Sequence, residues 1–207
     1  MNQKEYEFRP LSEMPNAGEL IPKTAALIYS SGPNYFDVLF GTRESALAWL
    51  GCWIGRTSSG FGFDRVTLAL AEGQVAGIAL HLSGKDLIDR QRLDMLSLLR
   101  ESDSSLRAKL SQKAEIIRAM TPAVQPWEYY LRSLAVDGSH RGKGLGAAML
   151  RQVFAAGVAL GFHWFRLDVR SDNAVAIRLY RSAGFEVCQS FKVQQTEWEL
   201  YSMRVEV

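Results

Sequence analysis

Hydrophobic and polar positions change their spacing several times along the chain, and each change marks an element. Residues 6–11 read as a short first strand. Residues 17–29 and 44–55 read as helices, the second opened by Thr42 as a candidate N-cap. Between them, residues 30–40 carry Gly32, Pro33 and Asn34 and read as a loop. Residues 65–71 and 75–82 are patterned as strands and flank Glu72-Gly73-Gln74, which predicts a β-hairpin.

From residue 83 to 126 the spacing turns helical. Leu96, Leu99, Leu106, Leu110, Ala114 and Ile117 are expected to share the packed face. Ser102-Asp103-Ser104-Ser105 divides the stretch into two helices, because short polar side chains cap a new helix better than they continue an old one. Residues 127–136 form an apolar, aromatic-rich strand, followed by the glycine-rich 138–146 and the helix-patterned 147–160. Residues 164–169 predict a further strand and 173–182 a short helix that Gly184 ends. Residues 185–193 and 197–205 supply two strands that can close the sheet. Strands alternating with helices place the chain in the α/β class.

Composition narrows the picture. The 207 residues are 47% hydrophobic and 22% charged, near the average of folded globular chains, which argues against disorder and low-complexity architectures. The length fits one domain over residues 1–207, with 83–126 as a helical insertion. Twenty-four basic residues against 22 acidic ones leave a net charge of +2, so no strong pull toward nucleic acid or lipid is expected. The basic residues of the insertion are balanced by acids and read as a solvated helix face. Cys52 and Cys188 stand in no C-x-x-C pair and beside no histidine at ligand spacing; reduced, buried thiols and no metal site are expected. The first ten residues are charged and no run approaches the ~20 apolar residues of a membrane span, so the expected location is cytoplasmic.

The stretch that carries chemistry runs from Leu134 to Ala147. A strand leading through closely spaced glycines into a helix exposes backbone N–H groups at a helix N-terminus, where a phosphate is favoured. Gly142, Gly144 and Gly146 would let the backbone wrap the anion, with Arg141 and Lys143 adding charge. A P-loop is excluded, since Asp137 stands where its first glycine belongs and Gly144 follows Lys143. A dinucleotide fingerprint fits better: Gly142-x-Gly144-x-x-Ala147 matches its glycine spacing and Asp168 ends the next strand. Only about 40 residues follow Asp168, however, too few for further units of ~30 residues each.

A third loop type matches more. Arg141-x-x-Gly144-x-Gly146 resembles the pyrophosphate loop of the GNAT superfamily of acyl-CoA-dependent N-acetyltransferases. Downstream, Asn173, Ala176, Tyr180, Gly184 and Phe185 are spaced as in that superfamily's N-x-x-A-x-x-x-Y-x-x-x-G-F segment. The resemblance covers roughly residues 127–207. It implies a mixed, mostly antiparallel central sheet flanked by helices, and acetyl transfer from acetyl-CoA directly to a primary amine of a small molecule or peptide. Two departures stand out: Gly138 where many relatives have proline, and the long 83–126 insertion on the acceptor side.

Residue by residue, the resemblance implies that the 141–147 loop (Arg141, Gly142, Lys143, Gly144, Leu145, Gly146, Ala147) and Asn173 hold the cofactor. The backbone of Leu134, Ala135 and Val136 would receive the pantetheine arm as an added strand, which requires the sheet to splay after the fourth strand. Tyr180 would protonate the departing thiolate, and Glu128, in the strand where relatives place a carboxylate, would be the base. Without the motif, Tyr180 would read as a packing residue and Asn173 as an N-cap. His81, His140 and His163 lack partners at useful spacing and read as structural, and the aromatics at 127–130, with Trp49 and Trp53, read as core. Two further readings stay open, a non-catalytic acyl-CoA-binding module and a dinucleotide-binding oxidoreductase. The acceptor and the oligomeric state, homodimer or otherwise, do not follow from the sequence.

Overall fold

In the computed structural model, which describes residues 6–121 and 123–207, the seven expected strands are all present. They are β1 (Glu7–Pro10), β2 (Val66–Ala71), β3 (Gln74–Ser83), β4 (Glu128–Val136), β5 (Trp164–Arg170), β6 (Glu186–Lys192) and β7 (Glu199–Glu206), joined into one sheet of order β1-β2-β3-β4-β5-β7-β6. Every pairing is antiparallel except β4 with β5. The helices are α1 (Ala17–Ser31), α2 (Pro33–Phe40), α3 (Arg43–Ile54), α4 (Gly84–Glu101), α5 (Ser104–Gln112), α6 (Ala114–Ala119), α7 (Leu145–Ala159) and α8 (Ala174–Ser182). Among the described residues no helix is long and apolar enough to cross a membrane.

Side chains set the helix starts. Thr42 accepts from Ser45 N–H at the head of α3, Ser83 from Asp86 N–H at α4 and Asp103 from Leu106 N–H at α5. The expected loop at 30–40 is largely helical. Pro33 occupies the first position of α2, where its fixed φ suits a helix and its missing N–H costs nothing, and Phe36, Leu39 and Phe40 then recur on one buried face.

The two faces of the sheet bury separate cores. On one, Leu68, Ile78 and Leu80 pack with Ile28, Phe40, Leu50 and Trp53 of α1–α3. On the other, Ala79, Leu131, Phe165 and Leu167 pack with Met149 and Val153 of α7 and Ile177 and Tyr180 of α8.

The insertion holds three helices rather than two, and the face expected to pack is partly wrong. Leu110 and Ile117 are buried, but Leu96 and Leu99, with Leu93, are exposed. α4 turns a polar stripe inward instead, because these side chains find partners in residues 53–64. Arg90 donates to the carbonyls of Thr57 and Ser59 and pairs with Asp64; Asp94 accepts from Gly60 N–H at 3.1 Å. Ser97 accepts from the Trp53 indole, and Glu101 takes both arms of Arg56. Arg90 is therefore a clamp and not part of a solvated face. Two other expectations fail: Cys52 and Cys188 are both exposed, and so is Trp127, stacked edge-on against Trp164 at the rim.

Candidate active site

β4 and β5 pair in parallel over three residues only, Glu128 to Tyr130 against Trp164 to Arg166. Beyond that point β4 runs on to Val136 and β5 to Arg170 without bonding each other, and a cavity of about 480 Å³ opens in the gap. Leu131–Leu134, Asp168–Arg170, Asn173 and Tyr180 line it from the sheet and α8, and Ser30–Phe36 with Phe61 line it from the α1–α3 side.

The free edge of β4 has a defined polarity. Asp137 N–H donates to Ala76 O of β3 at 2.8 Å, so strand alternation turns the polar backbone groups of Val136 and Leu134 toward the gap. Ala135, expected with them, faces β3 instead. The Val136 carbonyl takes a bond from Arg141 Nε at 3.0 Å.

The glycine loop follows. Gly142 and Gly144 have φ of +71° and +79°, a region where any other residue is strained, and Gly144 is the side-chain-free N-cap of α7. The first helical bond is Ala148 N–H to Gly144 O, which leaves the N–H groups of Leu145, Gly146 and Ala147 without partners inside the helix. Gly146 is small for another reason: a Cβ there would come within 3.0 Å of a Leu179 methyl, which would have to give by a few tenths of an ångström where α8 lies against α7. Lys143 Nζ folds back onto Ser139 O at 2.6 Å.

Tyr180 is buried on α8, edge-on to Phe185, and burial alone pushes its phenol up to about 12, so it is a proton donor at any physiological pH. Asn173 accepts from Ala176 N–H and caps α8 at the cavity wall. Glu128 is elsewhere. Its carboxylate is fully buried, accepts from Gln125 N–H at 2.8 Å and faces Arg166 and Arg204 at 3.6 and 3.8 Å, and it does not line the cavity.

The acid that does line it is Asp168 on β5. Its Oδ2 accepts from Tyr130 Oη at 3.0 Å and its Oδ1 from Ser202 Oγ, which is itself held by Arg166 Nη2 at 3.0 Å. Burial raises the Asp168 carboxyl above the ordinary range, against the lowering effects of Ser202, Arg166 and Tyr130. In the sequence Asp168 drew notice only as the acid ending the strand that follows a dinucleotide-type glycine loop. The signal for its present place is alternation: Phe165, Leu167 and Val169 fill the α7–α8 core, which sends Asp168 to the opposite face with Tyr130. His81 is a structural residue, hydrogen-bonded to Thr67 Oγ1 and Tyr129 Oη.

Residues 53–185, more than half of the chain, match the family model described as "Acetyltransferase (GNAT) family". An uncharacterized protein of Mycobacterium leprae is 44% identical over 63 residues, and the N-alpha-acetyltransferase RimI of Mycobacterium tuberculosis is 40% identical over 63. Each match covers 30% of this chain, but only 16% of the first protein's length and 37% of the second's. A crystal structure described as that of an acetyltransferase superposes with a TM-score of 0.67 at 22% identity, over 97% of this chain and 99% of the other, and shows the shared fold.

Proposed function

Because the chain belongs to the acetyltransferase (GNAT) family, we propose that it transfers an acetyl group from acetyl-CoA directly to a primary amine. The observation that carries this reading is the gap between β4 and β5. It is bounded by Tyr180 and Ala176 from one side of the sheet and by Tyr35 and Phe61 from the other, so two substrates can meet in it from opposite faces. The partnerless N–H groups at the head of α7 suit the pyrophosphate, Asn173 flanks it, and the free edge at Leu134 and Val136 suits the amide-bearing arm of the cofactor.

In this reading Asp168, and not Glu128, takes the proton that the acceptor's ammonium must lose before its nitrogen can attack the thioester carbonyl. A carboxylate raised by burial is a stronger base than an ordinary one. Tyr180 gives its proton to the sulfur as the C–S bond breaks. The Tyr130–Asp168–Ser202 arrangement argues against a module that only binds acyl-CoA, since cofactor binding has no use for a buried acid on the far face. Because acetyl-CoA is a metabolite of the cytoplasm, the same reading puts the enzyme there.

The test is calorimetric titration with acetyl-CoA, with NADH as control. Micromolar acetyl-CoA binding, abolished by Gly144→Asp, is expected. Binding of NADH in its place would return the chain to the dinucleotide reading.

A further inference from the structure

On the acceptor side of the cavity one guanidinium, bonded by Tyr35, keeps a buried nitrogen that no protein group satisfies. β4 carries a bulge: Leu80 pairs with Ser133 and His81 with Leu131, which leaves Arg132 as the extra residue, and its side chain lines the cavity. The guanidinium carbon lies over the Phe61 ring, 3.7 Å from its centre. Nη1 is buried without a hydrogen-bond partner. Arg170, the other guanidinium lining the cavity, is held by Asp172, and Arg166 nearby is held by Glu128 and Ser202.

The surroundings keep this berth clear. Asp94 Oδ2, the nearby acid, is occupied by Gly60 N–H and forms no ion pair with Arg132 among the described residues. A Cβ at Gly60 would collide with Arg132 Nη1 and sit 3.2 Å from Asp94 Oδ2, so the absence of a side chain at 60 is what admits the guanidinium. Tyr35 lines the same end of the cavity. A permanently charged, planar fork with a desolvated donor is costly when unpaired and matches a carboxylate in two parallel bonds. Asp94 offsets part of the positive charge, which favours a single carboxylate over a dianionic phosphate.

We propose that Arg132 binds a carboxylate on the acceptor, so that the acceptor is an amine carrying a carboxylate a few bonds away. This rests on the N-acetyltransferase reading above. Tyr130 joins the two functions, since its hydroxyl is bonded to Asp168 and feels the Arg132 charge, which puts the anion berth beside the base. The carboxylate is either that of a free amino acid or an acidic side chain near a peptide N-terminus.

Matched acceptors separate these cases. Thiol release from acetyl-CoA is measured with free amino acids against their carboxamides, and with alanyl-aspartyl amide against alanyl-asparaginyl amide. The carboxylate member of at least one pair is expected to have a kcat/KM about 10- to 100-fold higher. That preference should shrink to within about threefold in Arg132→Met, with acetyl-CoA affinity unchanged, and be intermediate in Arg132→Lys, which keeps the charge without the fork. Equal use of both members, or a preference that survives Arg132→Met, overturns the proposal. Glutarate titrated into the CoA-saturated protein decides it without catalysis: binding lost in Arg132→Met and weakened in Arg132→Lys supports it, and no binding to the wild type, or binding that persists in Arg132→Met, overturns it. Failure to bind acetyl-CoA would instead strike the N-acetyltransferase reading, and glutarate binding to the free protein would still decide the role of Arg132.

Discussion

Tyr130 of β4 donates to Asp168 of β5 at 3.0 Å, two residues beyond Arg166, the last β5 residue to pair with β4. Where the backbone ladder stops, a side-chain bond takes over, and it lies at the mouth of the gap. The bond ties the widening of the sheet to the position of a buried carboxylate, so in the proposed reaction the gap that would admit the cofactor also positions the base.

Asp168→Asn should lower kcat by about 10²- to 10⁴-fold while leaving acetyl-CoA affinity unchanged. Because burial raises the carboxyl, the acid limb of kcat/KM in the wild type should fall at a pH above the ordinary carboxylate range. Stability runs the opposite way. A carboxyl whose folded pKa exceeds its unfolded one binds its proton more tightly when folded, so this group's share of stability rises as pH falls through the folded value. Asp168→Asn, which removes a costly buried charge, should therefore melt no lower than the wild type at pH 7.5. A variant with full activity would remove Asp168 from the reaction.

Tyr180→Phe should reduce kcat ~10- to 1,000-fold with little change in acetyl-CoA affinity, as loss of a proton donor used in the transition state requires. The ring stays packed against Phe185, so the fold should be retained. With its phenol pushed up to about 12, Tyr180 should contribute no titration to the pH–rate profile below pH 10. Unchanged turnover in the variant would leave the thiolate to solvent protonation.

Those two acids show how far the sequence reaches. The position of Tyr180 follows from the motif running in register from Asn173 to Phe185, and in the structure it both lines the cavity and packs in the core, as its helix-face position suggested. Gly142 and Gly144 were legible because three close glycines at a helix start need a backbone reason, and two of them have positive φ. Asp168 was legible only in part: alternation along β5 gives its face, but the end of the β4–β5 ladder that opens the cavity beside it is a long-range event. Glu128 shows the converse: a glutamate at a strand start usually faces water, but β5 and β7 bring Arg166 and Arg204 over it. On α4 the apolar spacing misled, since the stripe of Arg90, Asp94, Ser97 and Glu101 packs inward through partners that lie 26 to 45 residues earlier in the chain.

Arg90→Ala tests that stripe. Arg90 holds the carbonyls of Thr57 and Ser59 and the carboxylate of Asp64, and thereby the loop that presents Phe61 to the cavity. Its loss should cost about 2–3 kcal/mol of stability, as for removal of a partly buried charged donor. It should also raise the acceptor KM while leaving the acetyl-CoA affinity alone, because the loop lies on the acceptor side only. Equal effects on both substrates would mean that α4 supports the whole sheet rather than the acceptor wall.

His81 sets an acid limit on the fold. Its ring is buried between Thr67 and Tyr129, and burial, aided by the charge of Arg65, lowers its pKa from 6.5 to about 4. Folded His81 stays neutral in a range where the unfolded chain is protonated. For a histidine depressed on folding, the stabilisation is complete above pH 6.5, is lost as pH falls from 6.5 to about 4, and changes no further below that. A shift of this size corresponds to about 3 kcal/mol over the window. Urea unfolding at pH 7.5 and pH 4.5 should show most of this difference in the wild type. His81→Gln, which can still bond Thr67 or Tyr129 but does not titrate, should be less stable at pH 7.5 yet lose less on acidification. Because Asp168 contributes with opposite sign and is common to both proteins, the comparison isolates His81, and parallel losses in the two proteins would assign the acid sensitivity to other groups.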